Sequence, residues 1–294
     1  MLVPKVNAHF SLKDLCVAFW ALIKKDNMPS GKSEYYLNHA RTGLRIAISA
    51  LGLPKGSKIG ISTYNCYTVM NAIKQAGYSI VFLDTTDNFT LDLIDLEQKK
   101  SEINALIITH LFGLPNDMEA IRKICSSIPI IEDCAHSFLS SSPEYVTGTI
   151  GDFAVFSIGL GKFPSIGDGG ILRINNELYR QSVEDEIKCL KAYSLLDEVL
   201  LIVKLKLTSI IHNPFIYKWV SLPSKKKLQE RKNINSNYRH EESLMAKSVC
   251  HLFHKKKNSL KTEVQKQQKN AEKFFTVLQG IKELTMPTIN FKYN

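Results

Sequence analysis

Residues 151–170 read GDFAVFSIGLGKFPSIGDGG. The apolar run from Phe153 to Ile158 reads as a strand, and it leads into a turn rich in glycine. One lysine, Lys162, sits in the middle of that turn. Lysine is rarely buried without a partner. A single amine in an adaptable turn with apolar neighbours therefore calls for a chemical explanation.

Working outward, helical and strand patterns alternate from residue 44 onward. Leu44–Leu51 reads as a helix ended by Gly52, Ile59–Ser62 as a strand, Val69–Gln75 as a helix ended by Gly77, and Ile80–Leu83 as a strand. Leu91–Lys99 is helical, Ala105–His110 a strand, Met118–Cys125 a helix and Ile128–Ile131 a strand. Short continuous apolar strands suit a sheet covered on both faces. Such alternation predicts an α/β fold with a mainly parallel central sheet and crossover helices. Sites in these sheets lie at the carboxyl ends of the strands. That edge is where Asp133, which follows PIIE, and the Lys162 turn both fall.

After Ile174 the pattern changes. Residues 176–220 read as helical and include an apolar, basic piece, LLIVKLKLTSIIHNPFIYKWV. This piece suits extra core or dimer surface, or else an amphipath that meets a membrane surface or a partner. The segment 224–237 is polar, and residues 241–280 read as one or two long helices. The expected organisation is an N-terminal helical segment over 1–30, a large α/β domain over 31–220, and a helical start of a smaller domain over 221–294.

The 294 residues carry a formal charge of +10 and are 44% hydrophobic, enough to bury a substantial core. The charge is uneven: residues 1–170 hold 15 Lys/Arg against 16 Asp/Glu, and residues 171–294 hold 23 against 12. Without a recognised reader motif, the basic half reads as solvated helix faces, and no nucleic-acid partner is expected. Six cysteines are scattered without CxxC or zinc-like spacing, which implies free thiols in a reducing compartment. The run Leu15–Ile23 is too short to span a bilayer and lacks a signal-peptide cleavage site. A cytoplasmic location is expected.

A phosphate-binding P-loop requires GxxxxGK[ST], but Phe156 stands where its first glycine belongs and Phe163 follows the lysine. GxGxxG fails because the run from Gly159 meets Pro164. Asp133-x-x-His136 offers two metal ligands without a third, so no metal is expected. A lysine that attacks an aldehyde fits better, because desolvation and neighbouring positive charge make its amine reactive. A pyridoxal 5'-phosphate (PLP) site also needs a carboxylate against the pyridine nitrogen and donors for the phosphate. Asp133 lies 29 residues before Lys162, and Ser157 and the Thr42-Gly43 turn supply hydroxyl and backbone donors.

THLFGLPNDMEAIRKIC, IPIIEDCAHSFLS and GTIGDFAVFSIGLGKFPSIGDGG resemble the DegT/StrS family of nucleotide-sugar aminotransferases. The resemblance extends more thinly through HARTGLRIAISALGLPKG and STYNCYTVMNAIKQAGYSIVFLD, and downstream through NYRHEESLMAKSVCHLF and QKNAEKFFTVL. It implies the three-layer sandwich of the PLP-dependent transferases of fold type I. It also implies a cofactor bonded to Lys162, with Asp133 on the ring nitrogen and His136 beside the phenolic oxygen. Ser157, Arg41 and Thr42 match phosphate ligands, and Asn237 resembles an asparagine that reaches the phosphate in the neighbouring subunit of a homodimer. The implied reaction moves an amino group from an amino-acid donor, glutamate first, to a keto-sugar nucleotide for surface polysaccharide or a related glycoside. Lys162 separates the chain from the family's sugar dehydratases, in which histidine replaces that lysine. Where the family places an aromatic ring over the cofactor, this sequence has Cys66, with Tyr64 and Tyr67 as alternatives. The end at Asn294 implies an incomplete small C-terminal domain, so the alternative is an idle or truncated PLP-binding homologue with a regulatory or assembly role.

Overall fold

The computed structural model describes residues 10–24, 33–217 and 241–287. Seven strands form one sheet: β1 (Glu34–Leu37), β2 (Lys58–Ser62), β3 (Ser79–Leu83), β4 (Ala105–Thr109), β5 (Ile130–Asp133), β6 (Phe153–Ser157) and β7 (Gly170–Ile174). Their spatial order is β1-β7-β6-β5-β4-β2-β3. The five strands from β3 to β6 run parallel, while β7 is antiparallel to both β6 and β1.

Strand alternation sorts the core into three layers. Odd-numbered side chains of β4, β5 and β6, such as Ile107, Ile131 and Val155, pack under α2 (Ala40–Ala50), α3 (Tyr67–Gln75) and α6 (Arg180–Lys188). Even-numbered Leu106, Ile108 and Ile130 meet α4 (Leu93–Lys99) and α5 (Met118–Ile124) on the other face. On that same face, Ala154 and Phe156 meet α1 (Leu12–Ile23), α7 (Leu195–Ile211) and α8 (Lys247–Lys257). A further helix, α9 (Leu260–Leu278), follows α8.

The α/β architecture is as expected; several boundaries differ. Helix α2 begins at Ala40, so Arg41 and Thr42 lie in its first turn rather than in a loop before it. Strand β5 begins at Ile130 and runs on through Glu132 and Asp133, two charged residues that read as strand exit in the sequence. Strands β1 and β7 carry no plain apolar run. Their charged residues Glu34 and Arg173 stand directly opposite each other and form an ion pair at 2.7 Å. The helical region 176–220 divides into α6 and α7, and Ser194 and Asp197 form a capping box at the start of α7. The long helical stretch after 241 divides into α8 and α9 around Asn258 and Ser259.

Glu132 explains why β5 extends. Its side chain is fully buried on the face opposite Asp133. Oε1 accepts the N–H groups of Ile150 (2.8 Å) and Gly151 (2.6 Å), while Oε2 accepts that of Gly148 (2.7 Å) and pairs with His110 Nε2 (2.9 Å). His110 Nδ1 accepts the Asn116 N–H at 3.2 Å, so the ring donates to Glu132 through Nε2. The His110 N–H in turn donates to the Asp133 carbonyl at 3.1 Å. One carboxylate thus ties the end of β4, the end of β5 and the turn that feeds β6. At Gly148 the backbone φ is +84°, and a Cβ there would lie 2.4 Å from Phe156 Cζ, so only glycine lets the N–H reach Glu132.

Burial opposes ionisation of Glu132, but the bond from His110 and the backbone donors outweigh it and hold the carboxyl below the usual range. Its contribution to stability is therefore present above the ordinary glutamate pKa and lost as pH falls through the depressed one. Glu132→Gln should cost about 2–4 kcal/mol, because its amide NH2 replaces one accepting oxygen and strands buried donors. Urea titrations should also show a smaller loss of stability on acidification in this variant than in the wild type; equal acid sensitivity would exclude the assignment. Gly170 offers a second check: a Cβ there would lie 2.2 Å from the Ala40 nitrogen at the start of α2. Backbone against backbone cannot yield cheaply, so Gly170→Ala should lower stability by about 3 kcal/mol in the same titration.

Candidate functional site

A cavity of about 450 Å³ opens where β5 and β6 end and α2 begins. Asp133, Ser157, Lys162 and Arg41 line it, and Cys66 and Thr68 stand at the start of α3. Period-two alternation aims Asp133 and Ser157 to the same side as α2, since both continue the odd-numbered set of their strands. Helix α2 presents its N-terminal turn, with the partial positive charge of that end.

Lys162 is half-buried in a turn held at its base by two bonds. Its own N–H donates to the Gly159 carbonyl at 3.1 Å, and the Ile166 N–H donates to the Ile158 carbonyl at 2.9 Å. Asp133 is 8% exposed, and its Oδ1 accepts the Ala135 N–H at 3.0 Å. Among the described residues its carboxylate forms no ion pair. Burial pushes the Asp133 carboxyl up, against the opposing pull of the Ala135 bond and the charge of Lys162. The cavity therefore contains a desolvated acid that, among the described residues, makes no ion pair, with Lys162 on the same wall.

The remaining residues singled out in the sequence fall around this centre. Thr42 is buried beneath the cavity and is not among its lining residues; its Oγ1 donates to Asn38 Oδ1 at 2.8 Å. His136 lies just past the end of β5, exposed, with its ring stacked on Phe112 at 5.9 Å between centroids. Enclosure by its neighbours, then the charge of Lys162, holds its imidazole below the usual range. Tyr67 opens α3 with its ring 66% exposed and outside the cavity lining. Tyr64 packs with Phe89 and Phe112, each at 6.1 Å between centroids. Cys66 does line the cavity, and its Sγ accepts the Thr68 hydroxyl at 3.1 Å. Asn237 lies outside the described residues.

An acid and a histidine of the lining escaped the sequence analysis, as did Lys204. His39 Nδ1 and Asp168 Oδ1 are 2.7 Å apart and form part of the wall shared with a second cavity of about 490 Å³. Asn38, Lys191 and Tyr193 line that second space, and Lys204 of α7 reaches both. The signal was present: Asp168 is the acid of GDGG directly after the lysine turn, and His39 directly precedes the first turn of α2. Among the described residues, His110, Glu132 and Cys134 form the one group spaced for a metal ion. The four donors on Glu132 already occupy both its oxygens, so this group serves the fold.

No helix among the described residues is long and apolar enough to cross a membrane. The sequence profile of the DegT/DnrJ/EryC1/StrS aminotransferase family matches residues 36–200, more than half of the chain. GDP-perosamine synthase from Escherichia coli O157:H7 is 32% identical over 145 residues, covering 48% of this chain and 40% of that protein. UDP-N-acetyl-3-dehydro-alpha-D-glucosamine 3-aminotransferase from Acidithiobacillus ferrooxidans is 30% identical over 138 residues, 44% of this chain and 36% of that protein. The matched part of the chain thus spans well under half the length of these relatives. Among solved structures, E. coli GDP-4-keto-6-deoxy-D-mannose-3-dehydratase with bound hydrated PLP superimposes with a TM-score of 0.72 at 16% identity. That superposition covers 98% of this chain and 75% of the dehydratase and shows a shared fold. The chain belongs to the DegT/DnrJ/EryC1/StrS aminotransferase family.

Proposed function

We propose that the protein is a PLP-dependent aminotransferase that moves an amino group from an amino acid, glutamate first among candidates, to a keto-sugar nucleotide. The observation that carries this is the buried, unpaired Asp133 in the same cavity as Lys162 and Ser157. A desolvated carboxylate without an ion-pair partner is what a protonated pyridine nitrogen satisfies, so the residues present fit the cofactor. A cavity of about 450 Å³ falls within the ordinary size for a cofactor with part of its substrate. The names of the relatives support a nucleotide-sugar substrate and a place in polysaccharide or glycoside synthesis. Free cysteines at Cys16, Cys66 and Cys189, all exposed, support a reducing cytoplasm.

When bound, PLP supplies an aldehyde that bonds amines and a ring that withdraws electrons. Lys162 Nζ is the amine that would bond the aldehyde carbon. As a free amine it would serve as the base that moves a proton between the substrate carbon and the cofactor carbon, in opposite directions in the two halves of the cycle. Asp133 would hold the ring nitrogen in its protonated form. Ser157, Arg41 and the first turn of α2 would bind the phosphate, where the helix end favours negative charge. Thr42 would brace that turn from beneath through Asn38. His136, stacked on Phe112 and not among the lining residues, would act on the cofactor's phenolic oxygen. Tyr67, at the rim, would face incoming substrate, and Asn237 would complete the phosphate site of a homodimer.

Incubation with PLP should produce a visible absorbance band that bleaches on addition of glutamate. Borohydride added to a separate aliquot without glutamate should fix the label on the peptide containing Lys162, and Lys162→Ala should lose both signals. A label that persists elsewhere, or no band at all, contradicts the proposal. Asp133→Asn should keep the fold and the label but slow the bleaching by about 1,000-fold, as expected when the acid governing the ring proton is lost; wild-type bleaching would remove Asp133 from that role.

A further inference from the structure

Helix α7 stands over the lysine turn, and its register there is fixed. Leu205 packs onto Gly167, where the backbone φ is +106° and no Cβ fits against the leucine. Leu201, Ile202 and Leu205 are buried in one cluster with residues of α1 and α8. The Glu198 carboxylate accepts the Lys247 and Ser248 N–H groups and the Ser248 hydroxyl, which ties α7 to the start of α8. Lys204 directly precedes Leu205 and is the one residue of α7 that lines both cavities.

Three other basic side chains line the first cavity. In the proposed reaction Lys162 is taken by the cofactor and Arg41 by its phosphate, while His39 is held by Asp168. Among the described residues the Lys204 amine makes no ion pair, so its charge is free to meet a ligand. In the second cavity it is joined by Lys191. Two acids there are already engaged, Asp168 with His39 and Asp197 with Ser194 in the cap of α7. Glu241 is the remaining acid against two lysines, so this space favours an anion.

The proposed reaction brings two different anions to one site in turn. The donor's carboxylate is bonded directly to the carbon that loses nitrogen. The acceptor's diphosphate is separated from the keto carbon by part of a sugar ring. A cation fixed in one place suits only one of these positions, whereas a lysine has a flexible stem and a compact charge that can be aimed at either. We propose that Lys204 serves both substrates. Its amine meets the donor's carboxylate in the first cavity and, once the donor's keto acid has left, the acceptor's diphosphate toward the second, beside Lys191. This inference rests on the proposed transamination and adds the residue that selects for anionic substrates at both stages. The family match ends at residue 200, so Lys204 lies beyond it.

The holoenzyme gives the test two arms. In the first, bleaching of the PLP band is followed against glutamate concentration. Lys204→Gln should raise the concentration for half-maximal rate at least about tenfold and keep the limiting rate within about twofold, the pattern of lost binding. In the second, calorimetric titration with GDP and with UDP reads the diphosphate without any reaction. Whichever nucleotide binds the wild type should bind Lys204→Gln at least about tenfold more weakly. Lys206→Gln removes the same charge from the same helix outside both cavities and should match the wild type in both arms. Borohydride labelling of Lys162 should be unchanged in all three proteins, which separates a binding role from a damaged site. If the wild type bleaches but Lys204→Gln equals it in either arm, the inference is overturned and the functional proposal stands. An equal loss in Lys206→Gln, or a wild type that binds neither nucleotide, overturns it too. A wild type that carries PLP on Lys162 yet bleaches with no amino acid fails the functional proposal itself, and this inference with it.

Discussion

The candidate site depends on a carboxylate that never reaches it. Glu132 sits fully buried on the closed face of the sheet, and its two oxygens gather donors from the turn 148–151 and from His110. A buried charge is tolerated only where hydrogen bonds replace its water. Here those bonds fix the pleat of β5, and a strand with period two has no freedom left once one residue is fixed. Asp133, the next residue, must point to the opposite face, toward the start of α2. The same turn leads into β6, which carries Ser157 and then Lys162. The acid, the hydroxyl and the amine thus inherit their positions from one anchored residue behind them.

A second constraint acts from the other side. Gly170 lets β7 pass so close to Ala40 that no side chain fits between them, and this sets the N-terminal turn of α2 at the cavity. The His39–Asp168 contact joins the same two segments nearby. The cavity is therefore a junction held by backbone approach and by a buried charge. Loop side chains alone do not hold it, which suits a site that must bring an amine and an acid together reproducibly. Helix α7 adds the outer wall through Lys204.

Much of this was legible in the sequence, and what was missed has physical causes. Strands such as Ala105–Thr109 and Phe153–Ser157 are continuous apolar runs, so their place in a covered parallel sheet could be read directly. Asp133 and Lys162 stood out because an acid at a strand end and a lone lysine in a glycine turn are a recognisable chemical pair. Strands β1 and β7 were illegible because their pairing is carried by Glu34 and Arg173, which read as surface charge until they stand opposite each other. Glu132 looked like part of a polar strand exit because its partners are backbone N–H groups, which leave no mark in a sequence. Thr42 and Tyr67 show the limit of matching motifs: one hydroxyl is used internally, and one ring stands outside the cavity.

The most direct test of this account is amide hydrogen exchange of Gly148, Ile150 and Gly151, read by nuclear magnetic resonance in the wild type and in Glu132→Gln. If one carboxylate holds the turn that feeds β6, these three amides should exchange only on global unfolding in the wild type, and orders of magnitude faster in the variant, while amides within β2 and β4 keep pace with global stability. Fast exchange at these positions in the wild type would contradict the account. So would a variant in which they slow and quicken only with the rest of the sheet.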